Sequence, residues 1–215
     1  MKRLIVISLL LLGFSITPRA EGEKLIALTF DDGPHTKYTL EILDILKESG
    51  CVATFFIIGE NAAEHPELLG KIKESGCEIG NHTWSHEYLD RLSEDKIRVE
   101  IEKTDKFIEE CIGEKPKVFR PPGGRSNETV LKVAEEFGYM TVLWSKDTRD
   151  WSCPGVEYVV SSALDKNTSG DIILFHDYNS GKSPTPDALR KILPRLIEAG
   201  YKTVTVSELS SLMSK

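Results

Sequence analysis

The chain has 215 residues, 40% hydrophobic and 8% aromatic, which suits one globular domain with its own core better than two domains or a disordered polypeptide. A net charge of −7 disfavours nucleic acid or an anionic membrane as partner. Four cysteines (Cys51, Cys77, Cys111, Cys153) include no C-x-x-C pair, so there is no zinc-ribbon or thioredoxin signature.

Residues 1–20 place Lys2 and Arg3 ahead of an apolar run from Leu4 to Leu12. That is the layout of a secretory leader, too short to span a membrane comfortably, with an uncleaved anchor helix as the alternative. Its removal would take the three cations Lys2, Arg3 and Arg19 and no acid, moving the charge from −7 to −10. The expected product is an exported catalytic domain over 21–215, with no stable membrane association and as a monomer.

From Lys24 onward, apolar runs alternate with amphipathic stretches. LIALTF, VATFFIIG, CEIG, KVFR, YMTVLW, DIILFH and YKTVTV predict strands. Between the first two, YTLEILDILKESG puts Ile42, Leu43, Ile45 and Leu46 at helical spacing before Gly50. After Ser93, Ile97, Ile101 and Ile108 share a face opposite the i,i+4 pairs Glu94–Arg98 and Glu102–Lys106. The joints ESGC, ESGC, EFGY and EAGY each carry a glycine where a helix turns back into a strand. Buried-looking strands joined through helices predict an α/β fold, a distorted (β/α) barrel of about seven parallel strands, with an open doubly wound sheet as the alternative. Because two joints open neighbouring strands, a Cys51–Cys77 bridge is one hypothesis for cysteines whose pairing the sequence leaves open.

Polar clusters fall at the C-terminal ends of these strands: Asp31 and Asp32 after LIALTF, Asn81, His82 and His86 after CEIG, Arg120 after KVF, Asp147 and Asp150 after YMTVLW, His176 and Asp177 in DIILFHD. In a parallel barrel those ends share the substrate face. HTWSH puts two histidines four apart, so a helical turn would aim both imidazoles one way, as a metal requires. A surface turn is the bland alternative. DDGP can be a helix-capping turn, or can give one carboxylate to a cation while its neighbour stays free. RPPGG can be a rigid loop, or can offer glycine N–H groups to an oxyanion. A glycosidase would use carboxylates about 5–9.5 Å apart on different strands and leave the His pair idle. A non-haem iron oxygenase could also use two His and a carboxylate, and an inactive carbohydrate-binding domain is the non-enzymatic alternative.

TFDDG (29–33), HTWSH (82–86), RPPGG (120–124), DTRDW (147–151) and LFH (174–176), in that order, resemble the five motifs of the polysaccharide deacetylases of carbohydrate esterase family four, the NodB homology domain. The resemblance spans about Lys24 to Leu212. It implies a divalent cation, usually zinc and sometimes cobalt or nickel, on Asp32, His82 and His86. It further implies Asp31 as general base with Arg120 as its charge partner, and His176 as general acid oriented by Asp150. Trp151 and Leu174 match the walls of an acetyl pocket, and Gly123 matches a residue whose N–H binds the oxyanion. The family often carries a side chain at this last position, so a more open cleft is expected. The implied reaction removes N-acetyl groups from amino sugars of a polysaccharide, with the wording of the motifs most similar to bacterial peptidoglycan deacetylases. Chitin oligosaccharides and acetyl-xylan are the alternative substrates.

Overall fold

Strand β1 (Lys24–Asp31) buries every residue after its first, as a strand covered on both faces must. The computed structural model describes residues 23–178 and 181–213; the expected leader lies outside them. Around β1 run β2 (Thr54–Ile57), β3 (Glu78–Asn81), β4 (Val118–Phe119), β5 (Met140–Thr141), β6 (Lys146–Asp147), β7 (Asp171–His176) and β8 (Tyr201–Thr203). Every pairing is parallel. Seven strands form one ribbon in the order β5-β4-β3-β2-β1-β7-β6, and β8 pairs with β1 off this path. β8 takes the start of β1 at Lys24–Ile26, while β2 takes its end at Thr29–Asp31. The ribbon curls into a distorted (β/α) barrel.

Helices α1 (Tyr38–Glu48), α2 (Gly59–Glu64), α3 (Glu67–Glu74), α4 (Glu94–Ile112), α5 (Glu128–Glu136), α6 (Val156–Leu164), α7 (Thr185–Glu198) and α8 (Val206–Met213) connect and cover the strands. The α1 residues Ile42, Leu43, Ile45 and Leu46 join Ile26, Leu28, Phe30, Phe55 and Phe175 in the main core. Each such buried side chain contributes roughly 1.5–3 kcal/mol. The four joint glycines, Gly50, Gly76, Gly138 and Gly200, all take positive φ (63°, 77°, 80° and 81°), the left-handed stop that L side chains resist. Both α4 ion pairs form.

Gly80 in β3 has a packing role instead. A Cβ there would lie 2.6 Å from Phe56 and 2.9 Å from Val118. Gly80→Ala is therefore expected to destabilise the fold by about 1–3 kcal/mol, read from its urea midpoint; an unshifted midpoint would show that the β2–β4 layer yields.

Two expectations are corrected. YMTVLW is not one strand, because the segment changes partner within it. The Val142 N–H still bonds Phe119 O on the β4 side, whereas the Ser145 N–H bonds Ile172 O beside β7, so residues 142–145 cross the mouth between the ribbon's two edges. Nor is there a Cys51–Cys77 bridge. The joints do open the paired strands β2 and β3, but both residues remain thiols buried in the main core. The Cys51 thiol contacts Ser49 O at 3.6 Å, and burial raises the pKa of both.

Candidate active site

The predicted strand ends meet. At the end of β1, Asp31 Oδ1 accepts a 2.7 Å hydrogen bond from Arg120 Nη1, and its Oδ2 lies 3.7 Å from His82 Nε2. Asp32, at φ +74°, turns the other way, placing Oδ1 3.4 Å from His82 Nε2 and 3.2 Å from His86 Nε2. The ligand atoms of Asp32, His82 and His86 lie within 4.8 Å of one another.

HTWSH holds its two imidazoles together without a helical turn, which corrects the sequence reading. Residues 82–88 are irregular, and Thr83 and His86 take φ of +70° and +60°. Side chains fix this shape. Asn81 Oδ1 accepts from the Thr83 N–H at 2.8 Å, while Asn81 Nδ2 donates to Ile101 O and Asp105 Oδ1. Glu100 on α4 accepts from the N–H groups of Trp84 (3.0 Å) and Ser85 (2.8 Å) and from the Ser85 hydroxyl. Glu100→Ala would strand two partly buried amides, at about 1–3 kcal/mol each if water does not reach them. A lowered melting temperature is expected, and an unchanged one would mean that Asn81 alone shapes the turn.

The His pair suits a divalent cation. His82 Nδ1 bonds Arg120 O at 2.7 Å, which fixes the proton there and leaves Nε2 as a free donor atom. Asp32 Oδ1 is buried without a hydrogen-bond partner. Burial alone would raise the Asp32 pKa, but the nearby His82 imidazole, with His176 and His86 behind it, holds it at about 2. Burial works against charge on His82 too, yet Asp31 and Asp32 raise its pKa. Burial and the neighbouring His82 lower the His86 pKa, and two imidazoles with one carboxylate are a common divalent-metal set.

Arg120 is fully buried. Besides Asp31, it donates to Thr29 Oγ1 (2.9 Å), Val142 O (3.3 Å) and Leu143 O (3.1 Å), and its guanidinium carbon lies 4.0 Å from the Phe56 ring centre. Burial lowers its pKa, opposed by Asp31.

Across the mouth, His176 Nδ1 bonds Asp150 Oδ1 at 2.8 Å. The buried Asp150 carboxylate also accepts from the N–H groups of His176 and Trp151 and from the Thr185 hydroxyl. Burial disfavours charge on His176, but Asp150, and then Asp31 and Asp32, push its pKa up to about 9. Leu174 is buried on β7, with its carbonyl bonded by Thr148, and Trp151 is exposed at the rim. Asp147 stays outside, exposed and accepting from the Arg149 N–H.

Gly123 takes φ +60° in a short 3₁₀ turn, Pro122–Gly124. A Cβ there would meet the ring of Tyr88 at 3.1 Å, so an exposed aromatic from the other loop fills part of the expected opening. Thr29, Thr185, Asn61 and Glu100 support the site and were missed from sequence. Each is one polar residue in an ordinary strand or helix, with no local pattern to mark it.

A metal-suited Asp-His-His cluster flanked by a separate carboxylate and a protonated histidine, at the strand ends of a parallel barrel, defines a hydrolase site. The family model for polysaccharide deacetylase matches residues 19–142. The chain belongs to the polysaccharide deacetylase family, carbohydrate esterase family four, hydrolases of N-acetyl amide bonds. A Bacillus cereus relative named peptidoglycan-N-acetylglucosamine deacetylase is 48% identical over 190 residues, spanning 87% of this chain and 89% of the relative. The solved peptidoglycan deacetylase PdaC of Bacillus subtilis superposes with a TM-score of 0.83 at 36% identity, covering 90% of this chain and 93% of its own. A pseudoenzyme of the same family from Bacillus anthracis also superposes, with a TM-score of 0.82 at 33% identity, covering 87% of this chain and 66% of its own. Turnover must therefore be argued from side chains rather than from the fold.

Proposed function

We propose that this protein removes N-acetyl groups from the amino sugars of peptidoglycan, using a divalent cation held by Asp32, His82 and His86. The observation that carries the reading is the pair of protein groups flanking that cluster: Asp31, tied to Arg120 and free of the three-ligand set, and His176, tied to Asp150. A bound cation supplies Lewis acidity and lowers the pKa of a water at the site. Asp31 takes the proton of the attacking water. The Gly123 N–H, which bonds no protein acceptor among the described residues, donates to the developing oxyanion. His176 gives its proton to the departing amine nitrogen, which leaves poorly without it. Leu174 and Trp151 wall the acetyl methyl.

Zinc is the preferred cation, with cobalt or nickel able to replace it, because two imidazoles and a carboxylate suit all three. The relatives' names favour peptidoglycan over chitin oligosaccharide or acetyl-xylan. No helix among the described residues is long and apolar enough to cross a membrane, and the apolar run of residues 4–12 supports export to the cell wall. Acetate release from peptidoglycan, chitin oligomers and acetyl-xylan, with and without chelator, tests the reading. Release from peptidoglycan that chelator abolishes and zinc restores, with no new reducing ends, is expected. Chelator-resistant release would remove the cation from the mechanism, and new reducing ends would indicate a glycosidase.

A further inference from the structure

Asp32 is a non-glycine residue in left-handed backbone. Such a conformation persists only where the surroundings over-determine it, so the contacts that impose it also aim the carboxylate. Three consecutive carbonyls of the turn are each held by a different element. Asp31 O accepts from the Asp177 N–H just past β7 (3.2 Å), Asp32 O from Asn61 Nδ2 on α2 (2.7 Å), and Gly33 O from the Ile58 N–H at the end of β2 (3.0 Å). Two of these donors are backbone groups of the barrel wall. The third, on the strained residue itself, is a side chain.

Asp177 closes the turn from outside. Its carboxylate is buried, accepts from the Thr39 hydroxyl, and would lie within 2.2–2.5 Å of any Cβ placed on Gly33. The turn therefore has no room to relax toward β7. On its other side, the only side chain bonding the Asp32 carbonyl among the described residues is Asn61. Asn61 is not hydrogen-bonded to the atoms that would bind a cation; it bonds the backbone of a ligand that, like His86, is held in the left-handed region.

We propose that Asn61 is a positioning residue, whose amide holds the Asp32 peptide in the left-handed turn that points Oδ1 at His82 and His86. The inference rests on the Asp32-His82-His86 reading above. Without the Asn61 donor, the peptide at Asp32 rotates toward ordinary backbone, the carboxylate leaves the imidazoles, and cation affinity falls.

The test is Zn²⁺ affinity of the full chain, measured by competition with a chromophoric chelator, together with the melting temperature of the metal-stripped protein. For Asn61→Ala, an affinity about 10- to 100-fold weaker than wild type is expected, as for other groups that orient a ligand from behind. The stripped protein should melt close to the wild-type temperature, because the lost bond is offset by release of the strained conformation. Asn61→Leu keeps the volume on α2 and removes only the donor, so it serves if the alanine variant does not fold, and the same loss is expected. Wild-type affinity in a folded Asn61 variant would overturn the proposal. Failure of the wild-type chain to bind Zn²⁺ would instead overturn the cation site on which it rests.

Discussion

The Asp31→Asn variant is expected to lose about 10²- to 10⁴-fold in kcat, the usual contribution of a positioned base, while still binding zinc. Asparagine keeps an oxygen to accept from Arg120 Nη1, so the buried guanidinium retains a partner and the fold should hold. Asp31 is outside the three-ligand cluster, so metal affinity should change far less than turnover. Single-turnover acetate release alongside a zinc titration separates the two quantities. Near-wild-type turnover would show that Asp31 is not the base, and a parallel collapse of zinc binding would make it a ligand.

The second large effect concerns pH. The His176 pKa stands at about 9 in the folded protein, above its ordinary 6.5, so the imidazole carries its proton through neutrality and loses it as pH rises toward 9. A general acid needs that proton, so kcat/KM should fall on an alkaline limb. A bound cation would offset the help from Asp31 and Asp32 and move the limb below 9. Asp150→Asn removes the nearest negative charge and should shift the limb to lower pH by roughly 1–3 units. The linkage to stability has the same sign. A pKa raised on folding stabilises fully below the unfolded value near 6.5, and that contribution fades between 6.5 and 9. His176→Ala should abolish the limb along with about 10²- to 10⁴-fold of turnover. An Asp150→Asn profile superimposable on wild type would remove Asp150 from control of the acid.

Much of this architecture was legible because it repeats. The four glycine joints and the strand-end position of each polar cluster are periodic features, and a parallel barrel converts shared chain position into spatial convergence. Asp31, Asp32, His82, His86, Arg120, Asp150 and His176 all meet as that logic requires. What was illegible lacks periodicity. HTWSH has helical spacing, yet hydrogen bonds from its N–H groups to Asn81 and Glu100 accompany left-handed turns at Thr83 and His86 instead. YMTVLW reads as one apolar run because nothing local reports that its hydrogen bonds pass from β4 to β7. Cys51 and Cys77 open adjacent strands, but adjacency of strands does not aim two thiols at each other. Asn61 and Thr185 matter through bonds to residues 29 and 35 positions away, a distance over which single-residue patterns carry no information.

The segment that bridges the barrel's open seam hangs on the guanidinium that faces the Asp31 carboxylate. Two of its carbonyls are satisfied by Arg120, so one side chain is at once a latch for the wall and the counter-charge of Asp31. Deleting it cannot isolate either duty, since the seam would gape in the same molecule that left the Asp31 carboxylate without its counter-charge. Whatever that ion pair adds to turnover is therefore to be read from the aspartate's side.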